Sequence, residues 1–349
     1  MIRILEANGE LVTEIDAYIS LEFERSFYGI GTFVLRIDSR LEKVSELTKN
    51  RLILIKNERN KVGIIKQLRY EFSGNNNILE VTGVQLKGLT WQRITIPPTG
   101  SATDSYNTDV ESVMKGLVQR NCLDITGMEF DELTILTNQN RGNAIKFETR
   151  YKRLSNELEA IGRANGIGYD VELQDDWEFD IKIGTDRTSN VFFSRKYENV
   201  ERLTYLTSLI NTSNYILIGV QGTGASRTIV EDGIASNGLE RNVRFVDARD
   251  ISDTDVLQER LDQKLAEYDG IDNLDIDVTN STFVYETDWD LGDYVTFMDD
   301  FLEIEATYQI EIVKEWYTQQ GEKQITIGFG KKPITIRDYV NQRTEQGIQ

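Results

Sequence analysis

No histidine occurs among the 349 residues of this chain. The side chain whose unperturbed pKa lies nearest neutrality is missing, and with it Ser-His-Asp and Cys-His catalysis and histidine-ligated zinc or haem. Carboxylate, lysine, tyrosine or serine chemistry is what remains. The single cysteine, Cys122, cannot form an intramolecular disulfide, and one thiolate is too few for a structural zinc or iron–sulfur site. A small semi-buried side chain is its plain reading. No stretch approaches the roughly 18 consecutive apolar residues of a membrane span. The opening MIRILEANGELVTE lacks a basic segment followed by about 7 to 15 apolar residues. The expectation is a soluble chain made in the cytoplasm without a membrane anchor. Basic residues are also scarce, 39 Lys and Arg against 58 Asp and Glu, for a formal charge of −19. That is the wrong sign for neutralising phosphates, and it argues against tight nucleic-acid binding.

What is present is ordinary globular material, 39% apolar and 28% charged, and at about 150 residues per domain the length predicts two or three domains. Only Pro97, Pro98 and Pro333 punctuate it; all three fall between patterned segments, as proline must. Before Pro97 the pattern is almost wholly of period two: Leu21 and Phe23; Phe33, Leu35 and Ile37; then RLILI (51–55), VGIIKQLRYEF (62–72) and NILEVTGVQL (77–86). These read as strands, with Gly29, Gly31 and the SGNNN cluster (73–77) marking reversals. From 98 to 190 the period lengthens. Val110, Val113, Met114, Leu117 and Val118 form one helical stripe, with Thr108 and Glu111 in a capping-box pattern. A second helix is predicted over 152–165, with Leu154, Leu158 and Ile161 inward and Gly166 ending it. The strands IKFE, GYDVEL and EFDIKI surround it.

Strand patterns return in NYILIGV (214–220), DYVTFM (293–298), FLEIEATYQIEIVKEWY (301–317) and KQITIGFG (323–330). One helix interrupts them over about 253–268, carrying Leu257, Leu261, Leu265 and Tyr268 and stopping at Asp269-Gly270. The segments 63–83 and 311–328 share a plan: an apolar pair before Lys66 or Lys314, a polar turn with Gly74 or Gly321, and a closing strand ending at Gly83 or Gly328. The predicted fold class is α+β, mainly β, with a first β-barrel-like module over 1–97 and an α+β module over 98–190. A second barrel-like module over 191–332 carries a helical insertion at 231–270, and 333–349 form a C-terminal tail. Counted over the same divisions, 14 basic and 12 acidic groups give +2 for 1–97, 10 and 17 give −7 for 98–190, and 15 and 29 give −14 for 191–349.

Candidate chemistry is sparse. GVQGTGAS (219–226) follows a strand, but Gly219, Gly222 and Gly224 do not make GxGxxG, no GK[ST] follows, and a hairpin loop is the better reading. Asp269, Asp272, Asp275 and Asp277, and Asp288, Asp290 and Asp293, offer hard oxygen ligands without the spacing of a calcium loop, and read as solvated turns and helix ends. Among 58 acids, a glycosidase-like pair has no diagnostic weight. Trp91, Trp177, Trp289 and Trp316 each sit in or beside a predicted strand, where core packing is the usual role rather than stacking on sugars. No catalytic, cofactor-binding or metal-binding residue is assigned.

The runs RSFYGIGTFVLRI (25–37), RLILIKN (51–57), GIIKQL (63–68) and EVTGVQLKGLTWQRI (80–94) come first; IGTDRTSNVFFSRKYENVERLTYLTSLINTSNYILIGVQG (183–222) and WDLGDYVTF (289–297) follow. Together they resemble a family of tail proteins of long-tailed bacteriophages, similar to the baseplate hub or tail-associated protein. The resemblance implies two barrel-like tube modules per chain and three chains per ring, six modules in all. Such a ring would join the tail tube to tip, spike or fibre proteins and form a DNA conduit. It implies a virion structural protein, not an enzyme, made in the host cytoplasm and then located at the tail tip. The alternatives are a carboxylate-dependent cell-wall hydrolase and a carbohydrate- or receptor-binding module. If DNA passes through such a ring, the second module is expected to turn more acidic than basic side chains inward, because basic walls would hold phosphates.

Overall fold

The computed structural model describes residues 1–330 other than 75, 210–211, 221, 235, 249–256, 259, 263–264, 266–270, 280–281 and 320–322. The expected tail 333–349, Pro333, Tyr268, Asp269, Gly270 and Gly321 lie outside the described residues. The first seven strands are β1 (Ile2–Leu5), β2 (Leu11–Ile15), β3 (Ser20–Ser26), β4 (Thr32–Asp38), β5 (Leu52–Ile55), β6 (Val62–Ser73) and β7 (Asn76–Gln85). They pair in the order β3-β4-β7-β6-β5-β1-β2. Alternation puts Leu21, Phe23, Phe33, Leu35 and Ile37 on one buried face. Each such side chain contributes about 1.5–3 kcal/mol by leaving water.

The middle segment holds β8 (Asp104–Asp109), α1 (Val110–Gln119), β9 (Leu133–Ile135), β10 (Ala144–Thr149), α2 (Leu154–Asn165), β11 (Ile167–Leu173) and β12 (Trp177–Ile183). Both predicted helices are present with their inward stripes buried, and Gly166 ends α2 at φ 68°, as expected. The cap of α1 differs from expectation. Asp109, not Thr108, accepts from the Ser112 amide at 2.9 Å. Glu111 turns away to ion pairs with Lys115 and Arg141, each at 2.7 Å. An acid one residue closer to the helix satisfies the orphan amide while its charge favours the helix N-terminus. Asp109→Ala is expected to cost about 1 kcal/mol in urea unfolding. Cys122, beyond α1, is fully buried, more so than a semi-buried reading allows. Its thiol is pushed up to about 12 by burial.

After β13 (Phe192–Phe193) and β14 (Val200–Ser208) comes an inserted unit: β15 (Tyr215–Gly219), β16 (Ile229–Gly233) and β17 (Val243–Asp247), ordered β16-β15-β17. Residues 257–258, 260–262 and 265 are helical, and Leu257 and Leu261 pack on Ile216 and Ile218. The strand predicted at 214–220 therefore pairs within this three-stranded sheet and not in the large one. Periodicity identifies a strand but not its neighbour. The glycines of 219–226 lie in the β15–β16 hairpin, and Ile229 continues as strand where a phosphate loop would open a helix. Among the described residues no helix is long and apolar enough to cross a membrane.

The last strands are β18 (Ile271–Val278), β19 (Tyr294–Asp299), β20 (Ile304–Thr318) and β21 (Lys323–Phe329). The chain repeats one plan twice. Neighbours run β3-β4-β7-β6-β5-β1 in the first half and β14-β18-β21-β20-β19-β13 in the second. All pairings are antiparallel except β13 beside β19, parallel where β1 beside β5 is antiparallel. Each half carries a long hairpin with a bulge in its first strand, at Lys66 in β6 and at Glu311 in β20. Matching the bulges sets Val81 with Ile327, both fully buried. The duplication is thus real in strand order, but the sequence match of Lys66 with Lys314 and Gly83 with Gly328 is out of register. A one-residue slip would reverse every face.

Neither half closes into a barrel among the described residues. Instead β3 pairs with β20, from Ser26↔Ile312 to Ser20↔Thr318, so both halves share one 13-stranded sheet.

Candidate functional site

The chemically densest region is the joint between the two halves. On β20, Val313, Glu315 and Tyr317 alternate inward, which places a carboxylate on an apolar face. Glu315 lies 2.7 Å from the Lys61 Nζ and 2.8 Å from the Lys323 Nζ, and accepts from the Tyr317 hydroxyl. Lys61, whose side chain is fully buried, also pairs with Glu58 and, at 3.0 Å, with Glu286. Burial alone would lower the Lys61 pKa, but Glu315, Glu58 and Glu286 outweigh it and raise the value above the usual lysine range. Burial alone would raise Glu315, but Lys61 and Lys323 outweigh it and lower the value. Beside them Arg25 of β3 donates to the Tyr285 hydroxyl at 2.9 Å and to Asp290 at 3.0 Å.

A second polar knot joins the first half to the middle segment. Lys87 is fully buried and donates to the carbonyls of Ser26, Phe27 (3.3 Å) and Tyr169 (2.8 Å). Burial lowers its pKa to about 8, with Asp170 and Glu159 opposing and Arg25 and Lys182 assisting. Lys87→Met should cost about 3 kcal/mol, because buried carbonyls lose their donors. The sign of its pH dependence follows from linkage. Above pH 8 the unfolded chain holds the Lys87 proton more tightly than the folded one, so the cost of burying the charge fades toward the ordinary lysine value. The stability gap between wild type and Lys87→Met should therefore widen between about pH 7 and about pH 9.5 in denaturant titrations. A gap that narrows would refute the assignment. Further pairs link α2 outward: Arg163 with Glu311 at 2.5 Å, and buried Glu157 with Arg260 of the insertion at 3.4 Å.

Asp277, Asp288, Asp290 and Asp293, among the acids singled out in the sequence, are engaged in structure. Asp277 sits on a strand, not in a turn. It accepts from Thr326 at 2.6 Å and Gln324 at 2.8 Å, and Arg202 approaches to 3.3 Å. Asp275 also lies on β18, as does Asp272, while Asp269 is outside the described residues. Asp288 caps the Val284 amide at 2.7 Å, and Asp293 accepts from the amides of Thr185 (2.8 Å) and Asp290 (3.1 Å). Among the described residues no three His, Cys, Asp or Glu side chains gather as a metal site. A surface depression of ≈ 280 Å³ beside β1 and β5 is lined by Arg3, Asn57, Arg59 and Gln174 with apolar neighbours, and holds no carboxylate pair for hydrolysis.

Of the tryptophans, Trp177 and Trp289 are core residues as expected, whereas Trp91 and Trp316 are exposed, Trp91 beneath the Arg153 guanidinium at 4.9 Å. Trp316 has outward parity on β20, opposite to Glu315 and Tyr317. Lys61, Lys87 and Glu315 escaped the sequence reading. Glu315 carried a signal in its inward parity, and Lys87 in its place between Leu86 and Leu89; Lys61 carried none, since its partners are distant in sequence. The whole arrangement is suited to locking segments together, its charges being neutralised internally.

Residues 1–331 match the family described as Siphovirus ReqiPepy6 Gp37-like protein. No curated protein sequence matches the chain. Solved structures with a similar fold include the tail protein from Neisseria meningitidis MC58, at 16% identity and TM-score 0.59 over 97% of this chain and 98% of that one. The 43 kDa tail protein of prophage MuSo2 from Shewanella oneidensis matches at 12% and 0.56, over 94% and 97%. Prophage tail protein gp18 from Listeria monocytogenes EGD-e matches at 13% and 0.55, over 100% and 99%. Matched from residue 1 to residue 331, and sharing its fold with solved structures of phage tail proteins, the chain belongs to the Siphovirus ReqiPepy6 Gp37-like family.

Proposed function

We propose that this tail protein is a non-enzymatic hub: three copies close into a ring at the distal end of the tail tube, join the tube to tip or fibre proteins, and surround the path of DNA. The observation that carries this reading is the doubled strand order, β3-β4-β7-β6-β5-β1 and β14-β18-β21-β20-β19-β13, joined edge to edge through β3 and β20. A chain built of two like units side by side can continue the same relation into its neighbours, and rotational closure ends the series without open filaments. In this reading residues 1–97 and most of 191–332 are the two tube modules. Residues 98–190 buttress the first, and the insertion projects from the second. The acidic balance of the later modules favours passage over capture of DNA, and the inward-facing side chains of the second module are expected to carry more carboxylates than cations.

Light scattering on the full chain, alone and with its tail-tube partner, tests the reading. Three copies are expected in at least the second setting. A stable dimer or a monomer in both would overturn it.

A further inference from the structure

The doubled plan leaves two strand edges open at the places where the internal joint uses theirs. We propose that these edges pair between copies: β14 of one chain runs antiparallel against residues 67–73 of β6 in the next. The pairing deepens the ring reading and rests on it only for the number of copies.

Within the chain, β19 covers β20 up to Gln309, and β3 covers it from Ile312 to Thr318. The corresponding strand β6 is covered by β5 only at Val62–Ile64. Among the described residues no strand lies on its outer edge beyond the Lys66 bulge, and none lies on the edge of β14 opposite β18.

Register carries over from the internal joint. Aligning the halves by their bulges and buried faces puts Leu203 in the place of Leu21, and Phe72 in the place of Tyr317. Leu21 faces Tyr317 in the internal joint, so Leu203 of one copy faces Phe72 of the next. By the same step Tyr205 faces Tyr70, and Leu206 faces Arg69, with no like charges opposed. Exposure agrees. Tyr317 is 3% exposed because β3 and the first-half core cover it, whereas Phe72 and Tyr70, on the same face of the equivalent strand, are 67% and 59% exposed. A bare backbone edge flanked by aromatic side chains is a template for another strand. Here the chain itself contains the complementary edge.

The test is a full-length Leu203→Cys/Phe72→Cys variant under mild oxidation, read by denaturing electrophoresis without reductant. Directly opposed residues of an antiparallel pair are within disulfide reach, and native Cys122, fully buried, does not compete. Covalent oligomers ending at the trimer are expected, with none from a Leu203→Cys/Leu11→Cys control on the far β2 edge. In a second variant, Tyr70→Lys/Phe72→Lys, loss of the oligomer with an unchanged circular-dichroism spectrum is expected, since both side chains are exposed in the single chain.

Absence of the cross-link, whether the chain is oligomeric or monomeric, overturns the pairing, as does an oligomer that survives the lysine variant. Trimers lacking the 203–72 bond refute the pairing and leave the ring standing. A 203–72 bond in a closed oligomer of another copy number refutes the threefold hub and leaves the pairing standing.

Discussion

Lys61→Met is expected to destabilise the folded chain by about 3–5 kcal/mol, because it removes a cation from a buried cluster and strands its carboxylates. Methionine preserves most of the volume, so the loss reports charge more than packing. Glu315 retains Lys323 at 2.8 Å, but Glu286 and Glu58 lose their shared partner at the joint between the halves. The paired variant Lys61→Met/Glu315→Leu should recover most of the loss, since replacing both members of a buried ion pair by apolar groups is often nearly neutral. Urea unfolding of the two single variants and the double closes the cycle. A loss below about 1 kcal/mol for Lys61→Met, or a double variant no better than the single, would show that the cluster does not hold the joint.

The same cluster predicts stability at both ends of the pH scale. Lys61 is raised on folding, so its contribution is complete below the ordinary lysine value and is lost as pH rises through the folded one. Glu315 is lowered, so its contribution is complete above the ordinary glutamate value and is lost as pH falls through the folded one.

Gly292→Ala should cost about 3–4 kcal/mol, from left-handed backbone and overpacking together. The residue has φ 95°, a conformation that penalises any Cβ. An added methyl would lie 2.3 Å from the Phe27 ring. Phe27 has no room to withdraw, since a Cβ at Gly168 would meet the same ring at 2.8 Å. Two glycines thus form the walls of a slot for one buried aromatic residue. The double variant Gly292→Ala/Phe27→Leu should regain the steric part and leave the backbone part, a partial rescue visible in the thermal midpoint. No rescue at all would place the whole cost in the backbone. The contact also gives a physical reason for two of the motifs that carried the family resemblance, since RSFYGIGTF supplies the ring and WDLGDYV supplies the slot.

Much of the local structure was legible in the sequence. Period-two runs marked most strands of the large sheet, the 110–118 stripe and Gly166 marked the helices, and the absence of histidine excluded whole classes of chemistry. Strands 200–208 and 271–278 were not recognised: the first is mostly exposed on both faces, and the aspartates of the second read as turns. Sequence alone determined which residues of a strand or helix share a face, because side-chain direction follows from local backbone geometry. Only the tertiary structure decided which edges meet: that β3 pairs with β20, that β15 belongs to an insertion, and that Lys61 finds Glu315. Edge pairing and buried ion pairs depend on backbone groups and charges brought together across hundreds of residues, and periodicity along the chain says nothing about that meeting.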